Sequence, residues 1–158
     1  MREDDTPRGL PRWWPLLFPL TFVVHVAEEV WCGEGFPAWV SRVSGVEMTH
    51  ERFLALNAAA WVVMLAGCLL AAGFERLRPL ALPFATAVLI NGLAHTGATA
   101  LTATYSPGLL SGLLLWVPLG LYTLRRARRF TERKTFWLAV ASGFVLHGLL
   151  TLTAALTR

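Results

Sequence analysis

Apolar residues fill five stretches of the chain: Trp13 to Trp31, Phe53 to Ala72, Pro79 to Leu101, Pro107 to Leu124 and Phe136 to Thr157, with charges, Pro and Gly between them. Each is close to the roughly 20 residues that carry an α-helix across about 30 Å of hydrocarbon. The pattern predicts an all-α integral membrane bundle of five transmembrane helices, one domain over residues 1–158. Tyr105, Pro107 and Gly108 mark a turn between the third and fourth stretches, and the run from Pro79 to Leu124 is far too long for one crossing. Only one connection is long, Gly33 to His50. In it Phe36, Trp39, Val40 and Val43 recur at helical spacing and Pro37 suits a first turn, which predicts a short helix lying in the interface.

Composition supports the same class. Charged residues make up 15% of the chain and hydrophobic ones 55%, against about 25% charged in soluble domains. The basic residues then fix an orientation, because Lys and Arg concentrate in short cytoplasmic loops. With five spans, Arg2, Arg8, Arg12, Arg76, Arg78, Arg125, Arg126, Arg128, Arg129, Arg133 and Lys134 fall on one side, and Arg42, Arg52 and Arg158 on the other. The N-terminus is expected in the cytoplasm of a multi-pass inner-membrane protein. The basic run after Leu124 reads as an anchor beside anionic lipid, not as a nucleic-acid surface. No small-residue cleavage site follows the first stretch, which therefore reads as a retained helix. Cys32 and Cys68 fall about 22 Å apart in depth and are not expected to bond.

Few ionisable groups lie inside the stretches: Glu28, Glu29, His25, His95 and His147. An acid near the bilayer centre costs on the order of 2.5 to 3.5 kcal/mol, so each needs a partner and is a functional candidate. Thr21, His25, Glu28, Glu29 and Cys32 share one stripe of the first helix, and Asn91, His95, Thr99 and Thr102 one stripe of the third. At about 1.5 Å per residue, His25, Glu29, Asn57, Asn91, His95 and His147 all lie roughly 17 to 24 Å above the cytoplasmic edge, in the outer half.

Neutral imidazole and ionised carboxylate are the usual nitrogen and oxygen ligands of zinc and of iron. His25, Glu29, His95 and His147 are therefore the candidate metal ligands, with Asn57 and Asn91 supporting them from behind. Glu28 is the candidate proton acceptor and Tyr105 a donor to a developing oxyanion; the two acids can exchange roles. Taken singly, each histidine is ordinary helix packing, and Glu28 and Glu29 could simply reach outer water at the end of the first helix. Ser106 and Ser111 have no base at helical spacing, which removes a serine nucleophile from consideration.

His25 to Glu29 reads HVAEE, Asn91 to His95 reads NGLAH and Tyr105 to Gly108 reads YSPG. Together these resemble the HXXEE-domain family of small bacterial integral membrane proteins. The resemblance implies that His25, Glu28, Glu29, Asn91, His95, Tyr105, Pro107 and Gly108 belong to the family motifs, and it implies no substrate. His147 and Asn57 lie outside those motifs and rest on depth alone.

The reading that follows is a metal-dependent membrane enzyme, most simply a hydrolase acting on a lipid or apolar amphiphile from the outer leaflet through a divalent ion. A non-haem iron oxidoreductase, with one or two irons, is the alternative. A proton or metal-ion transporter is the second, but neither sequence repeats nor a polar inner half supports it.

Overall fold

The structure, a computed structural model, describes residues 10–156, with side chains through Ala154; Arg2, Arg8, Thr157 and Arg158 lie outside the described residues. Those residues form helices joined by turns and short loops, with no strand among them. A 3-10 turn, Trp14–Leu16, leads into α1 (Leu17–Trp31); α2 (Phe36–Ser44) and α3 (His50–Gly73) follow, and a second 3-10 segment, Glu75–Leu80, leads into α4 (Ala81–Thr102). Next come the short α5 (Leu109–Ser111), a π-helical turn (Gly112–Trp116), α6 (Val117–Ala127) and α7 (Arg133–Leu156).

Helix boundaries follow local chemistry. Thr49 caps α3, its hydroxyl accepting from the Arg52 amide at 3.2 Å, and Gly45 closes α2 in the left-handed conformation at φ +71°. The π turn precedes Pro118, which has no N–H to offer the Leu114 carbonyl one turn back. Arg52 holds the far end of α7: its guanidinium donates to the carbonyls of Thr153 and Ala154, where the helix dipole is negative.

Three helical stretches are long and apolar enough to cross a membrane: His50–Gly73, Glu75–Thr102 and Arg133–Ala154. The pair Trp14–Trp31 and Phe36–Ser44, bent by 66°, makes a fourth if counted as one span. The expected fourth span, Pro107 to Leu124, is not a continuous α-helix but the sequence α5, π turn and α6. The long connection does contain a helix, α2, with Pro37 in its first turn and Trp39 buried.

Helix α4 is central, packed along α6 and α7. The approach is close because glycines face it: a Cβ on Gly92 would lie 2.6 Å from the Gly112 carbonyl oxygen, and one on Gly143 would lie 2.6 Å from that of Pro83. Without a hydrophobic drive between helices in lipid, such backbone proximity is a main source of packing energy. A core of Phe18, Phe22, Met64, Phe84, Val88 and Trp116 joins α1, α3, α4 and the π turn.

Candidate metal centre

Three groups from two helices converge above that core. His25 and Glu29, one turn apart on α1, meet His95 of α4, and one ligand atom from each lies within 4.8 Å of the others. All three are buried, at 1%, 4% and 4% exposure. Glu29 Oε1 is 3.6 Å from His25 Nε2 and 3.4 Å from His95 Nε2. At 3.6 Å the first is too long for a hydrogen bond. Both match the edge of a tetrahedron around an ion with bonds of about 2.0–2.2 Å, whose ligand atoms stand roughly 3.3–3.6 Å apart.

The opposite ring nitrogens are anchored. His25 Nδ1 is 2.8 Å from Ser111 Oγ, and His95 Nδ1 is 2.9 Å from Ser106 Oγ. Ser111 has one hydroxyl proton and gives it to Glu28 Oε2, so at His25 its oxygen can only accept. Nδ1 of His25 therefore carries the hydrogen, and in the neutral ring Nε2 is a bare lone pair facing Glu29. That nitrogen is buried and has no hydrogen-bond partner among the described residues. Two acceptors facing one another in a buried site repel unless a proton or a metal cation lies between them. The donor set, spacing and tautomer all fit a divalent ion.

Glu28 has a different task from its neighbour. Its Oε1 accepts from Tyr105 Oη and from the Leu110 amide at 2.8 Å, and its Oε2 from the Ser111 amide at 2.6 Å and the Ser111 hydroxyl. It thus caps the start of α5, where free N–H groups and the helix dipole favour an anion. Charge-assisted bonds of about 1.5 to 3 kcal/mol each offset the cost of desolvating this acid. The proton-acceptor role expected for Glu28 does not fit a carboxylate so fully engaged, and Tyr105 spends its hydroxyl on Glu28 instead of pointing it at a reacting group.

Gly108 lies over the cluster. Its φ of +99° suits glycine alone, and a Cβ there would sit 2.8 Å from His95 Cε1 and 2.9 Å from His25 Cε1. The Trp116 ring stacks on His25 at a centroid distance of 3.7 Å, and Phe36 of α2 lies 5.5 Å from the His95 ring. Backbone and aromatic surface thereby wall the cluster from above and beside.

His147 is not among the converging groups. It lines a cavity of about 330 Å³ with Glu29, Phe36, Phe53, Asn57 and Asn91, bounded by α1, α2, α3, α4 and α7. The expected asparagine support for the imidazoles is absent: neither Asn57 nor Asn91 bonds to a histidine among the described residues, and Asn57 Nδ2 donates to Phe53 O of its own helix at 3.0 Å. Serines perform that function. Helical spacing missed them because each reaches its imidazole from another segment: Ser106 precedes α5, and Ser111 lies 86 positions from His25. Neither lines the cavity; the hydroxyls are directed to the imidazoles.

The family described as proteins of unknown function with an HXXEE motif matches residues 16–123. The chain belongs to this family. Its HXXEE motif is HVAEE here, with His25 and Glu29 facing the cluster and Glu28 turned to α5. The matched region contains the whole His25, Glu29, His95 centre and both serines, and leaves out α7 with His147. Comparison with curated proteins and with solved structures finds no match.

Proposed function

We propose that the chain is a metal-dependent membrane enzyme, most simply a hydrolase, in which His25 Nε2, His95 Nε2 and Glu29 hold one divalent ion. The observation that carries this reading is the bare His25 Nε2 aimed at a buried carboxylate. An ion bound there supplies Lewis-acid polarisation and an acidified water. The chain's residues do the rest: Ser111 and Ser106 hold the imidazole rings, Glu28 holds Ser111, and Gly108 excludes water from above. The cavity beside Glu29 is mostly apolar, which supports a lipid or apolar amphiphile as substrate. His147 opens on that cavity and takes the proton-handling role in place of Glu28.

The basic residues at the far end of α1 and α4 support a multi-pass inner-membrane protein of five crossings with this centre toward the outer face. Two histidines and one carboxylate also form the donor set of mononuclear non-haem iron oxygenases. That favours iron oxidoreductase chemistry as the second reading, and Glu28, bonded elsewhere, favours one iron over two.

Anaerobic purification in detergent followed by elemental analysis tests the proposal and separates zinc from iron. About one ion per chain is expected, lost in Glu29→Gln and His95→Ala and retained in His147→Ala. Folded wild-type protein that neither carries nor takes up a divalent ion would overturn it.

A further inference from the structure

A larger cavity, of about 680 Å³, lies at the other end of the bundle. Its wall includes Trp14 and Pro15 before α1 and Ala81 and Leu82 at the start of α4. Those positions are 13 or more residues from Glu29 and His95, roughly 20 Å along each helix. The proposed chemistry makes no use of this space.

Three arginines line it, Arg12, Arg76 and Arg78. None has an ion-pair or hydrogen-bond partner among the described residues. Two acids, Glu75 and Glu132, share the wall, and the Glu132 carboxylate already accepts from the Thr135 hydroxyl at 3.1 Å. The formal balance is one net positive charge, with the Thr131 and Thr135 side chains nearby. The floor is apolar and buried, formed by Pro15, Ala71 and Leu82. Phe130 lines the opening and is half exposed, and Trp13 and Phe74, each beside a lining residue in sequence, are 56% and 60% exposed.

Arginine forks bind phosphate oxygens in pairs, and basic pockets between membrane helices on the cytoplasmic side suit anionic headgroups. A soluble phosphate ester would need the arginines but not the apolar floor or the exposed aromatic rim. A lipid uses all three. We propose that this cavity holds the phosphate headgroup of an anionic phospholipid from the adjacent leaflet, with Arg12, Arg76 and Arg78 as anchors.

Native mass spectrometry of the full chain in detergent, titrated with phosphatidylglycerol, phosphatidylcholine or glycerol 3-phosphate, tests this independently of any metal. Phosphatidylglycerol should be retained in preference to phosphatidylcholine, and glycerol 3-phosphate should not displace it. The double variant Arg76→Ala/Arg78→Ala should weaken retention about thirtyfold, two arginines each contributing about fivefold. Arg129→Ala/Lys134→Ala removes the same charge outside the cavity and should change retention less than about threefold. Arg76→Lys/Arg78→Lys, which keeps charge and loses the forks, should fall between, and serves if the alanine variant does not fold by circular dichroism. Equal retention of both lipids, equal loss in the outside variant, or displacement by glycerol 3-phosphate would overturn the proposal.

Discussion

His25 and Ser111 stand 86 positions apart in the chain, yet Nδ1 of one lies 2.8 Å from Oγ of the other, and that contact determines which face of the imidazole is bare. Replacing Ser111 with alanine removes the acceptor for the ring N–H and one donor to Glu28. Metal affinity is expected to fall about 10- to 100-fold, as for other partners that orient ligands. Chelator competition with the folded variant measures it. Unchanged affinity would mean that Trp116 stacking alone holds the ring.

Glu28→Gln and Glu29→Gln should separate two functions carried by adjacent residues. At position 28 the substituted amide brings its own N–H groups toward the N–H donors at the start of α5, and a loss of about 0.5 to 2 kcal/mol in stability is expected, the range for removing a cap. Glu29→Gln removes a buried charge, should leave thermal stability of the metal-free protein near wild type or above, and should abolish metal uptake. Paired thermal melts and metal contents distinguish the two. The reverse assignment, stability lost at 29 and metal at 28, would refute the division.

Gly108→Ala meets both a positive φ and two imidazoles, whereas Gly45→Ala meets a positive φ and open space. The backbone conformation costs about 1 to 2 kcal/mol in each. Only at Gly108 does overpacking add about 1 to 3 kcal/mol. Melting in detergent should show Gly108→Ala as the more destabilised, with metal lost. Equal effects would place Gly108 away from the rings.

Tyr105 should resist ionisation. Burial raises its pKa, and the hydrogen bond to the Glu28 carboxylate raises it further. Because the folded value exceeds the unfolded one, the stability it contributes is complete below about pH 10, the ordinary tyrosine value, and is lost as pH rises beyond that. Difference absorbance near 295 nm should give the same phenolate rise for wild type and Tyr105→Phe up to about pH 11. A larger rise in wild type would contradict the burial.

Much of this was legible in the sequence and some was not, for physical reasons. The 3.6-residue repeat puts His25 and Glu29 on one stripe, and depth counting brings His95 level with them; the structure brings all three together. Depth is one coordinate, however, and it could not separate His147, which shares the level but faces the cavity across from the cluster. Stripe logic could not separate Glu28 from Glu29 either. Adjacent residues diverge by about 100°, enough to send one carboxylate to His95 and the other to α5. Ser106 and Ser111 were invisible because their partners come from tertiary contact. Even so, a Tyr-Ser-Pro-Gly turn opening a helix beside an unpaired acid was a usable signal for a capped N-terminus.

The Glu28 cap also bears on the order in which the chain can be built. Its amide donors at Leu110 and Ser111 lie 82 and 83 positions downstream, and His95, the partner of Glu29, comes on α4. On α1 alone Glu28 lacks its donors, and Glu29 has only His25 of its two imidazoles. Unpaired acids disfavour an apolar setting, so α1 alone suits one less well than α1 in the assembled bundle. Among the described helices, α1 therefore completes its contacts to both acids only once α4 and α5 are in place.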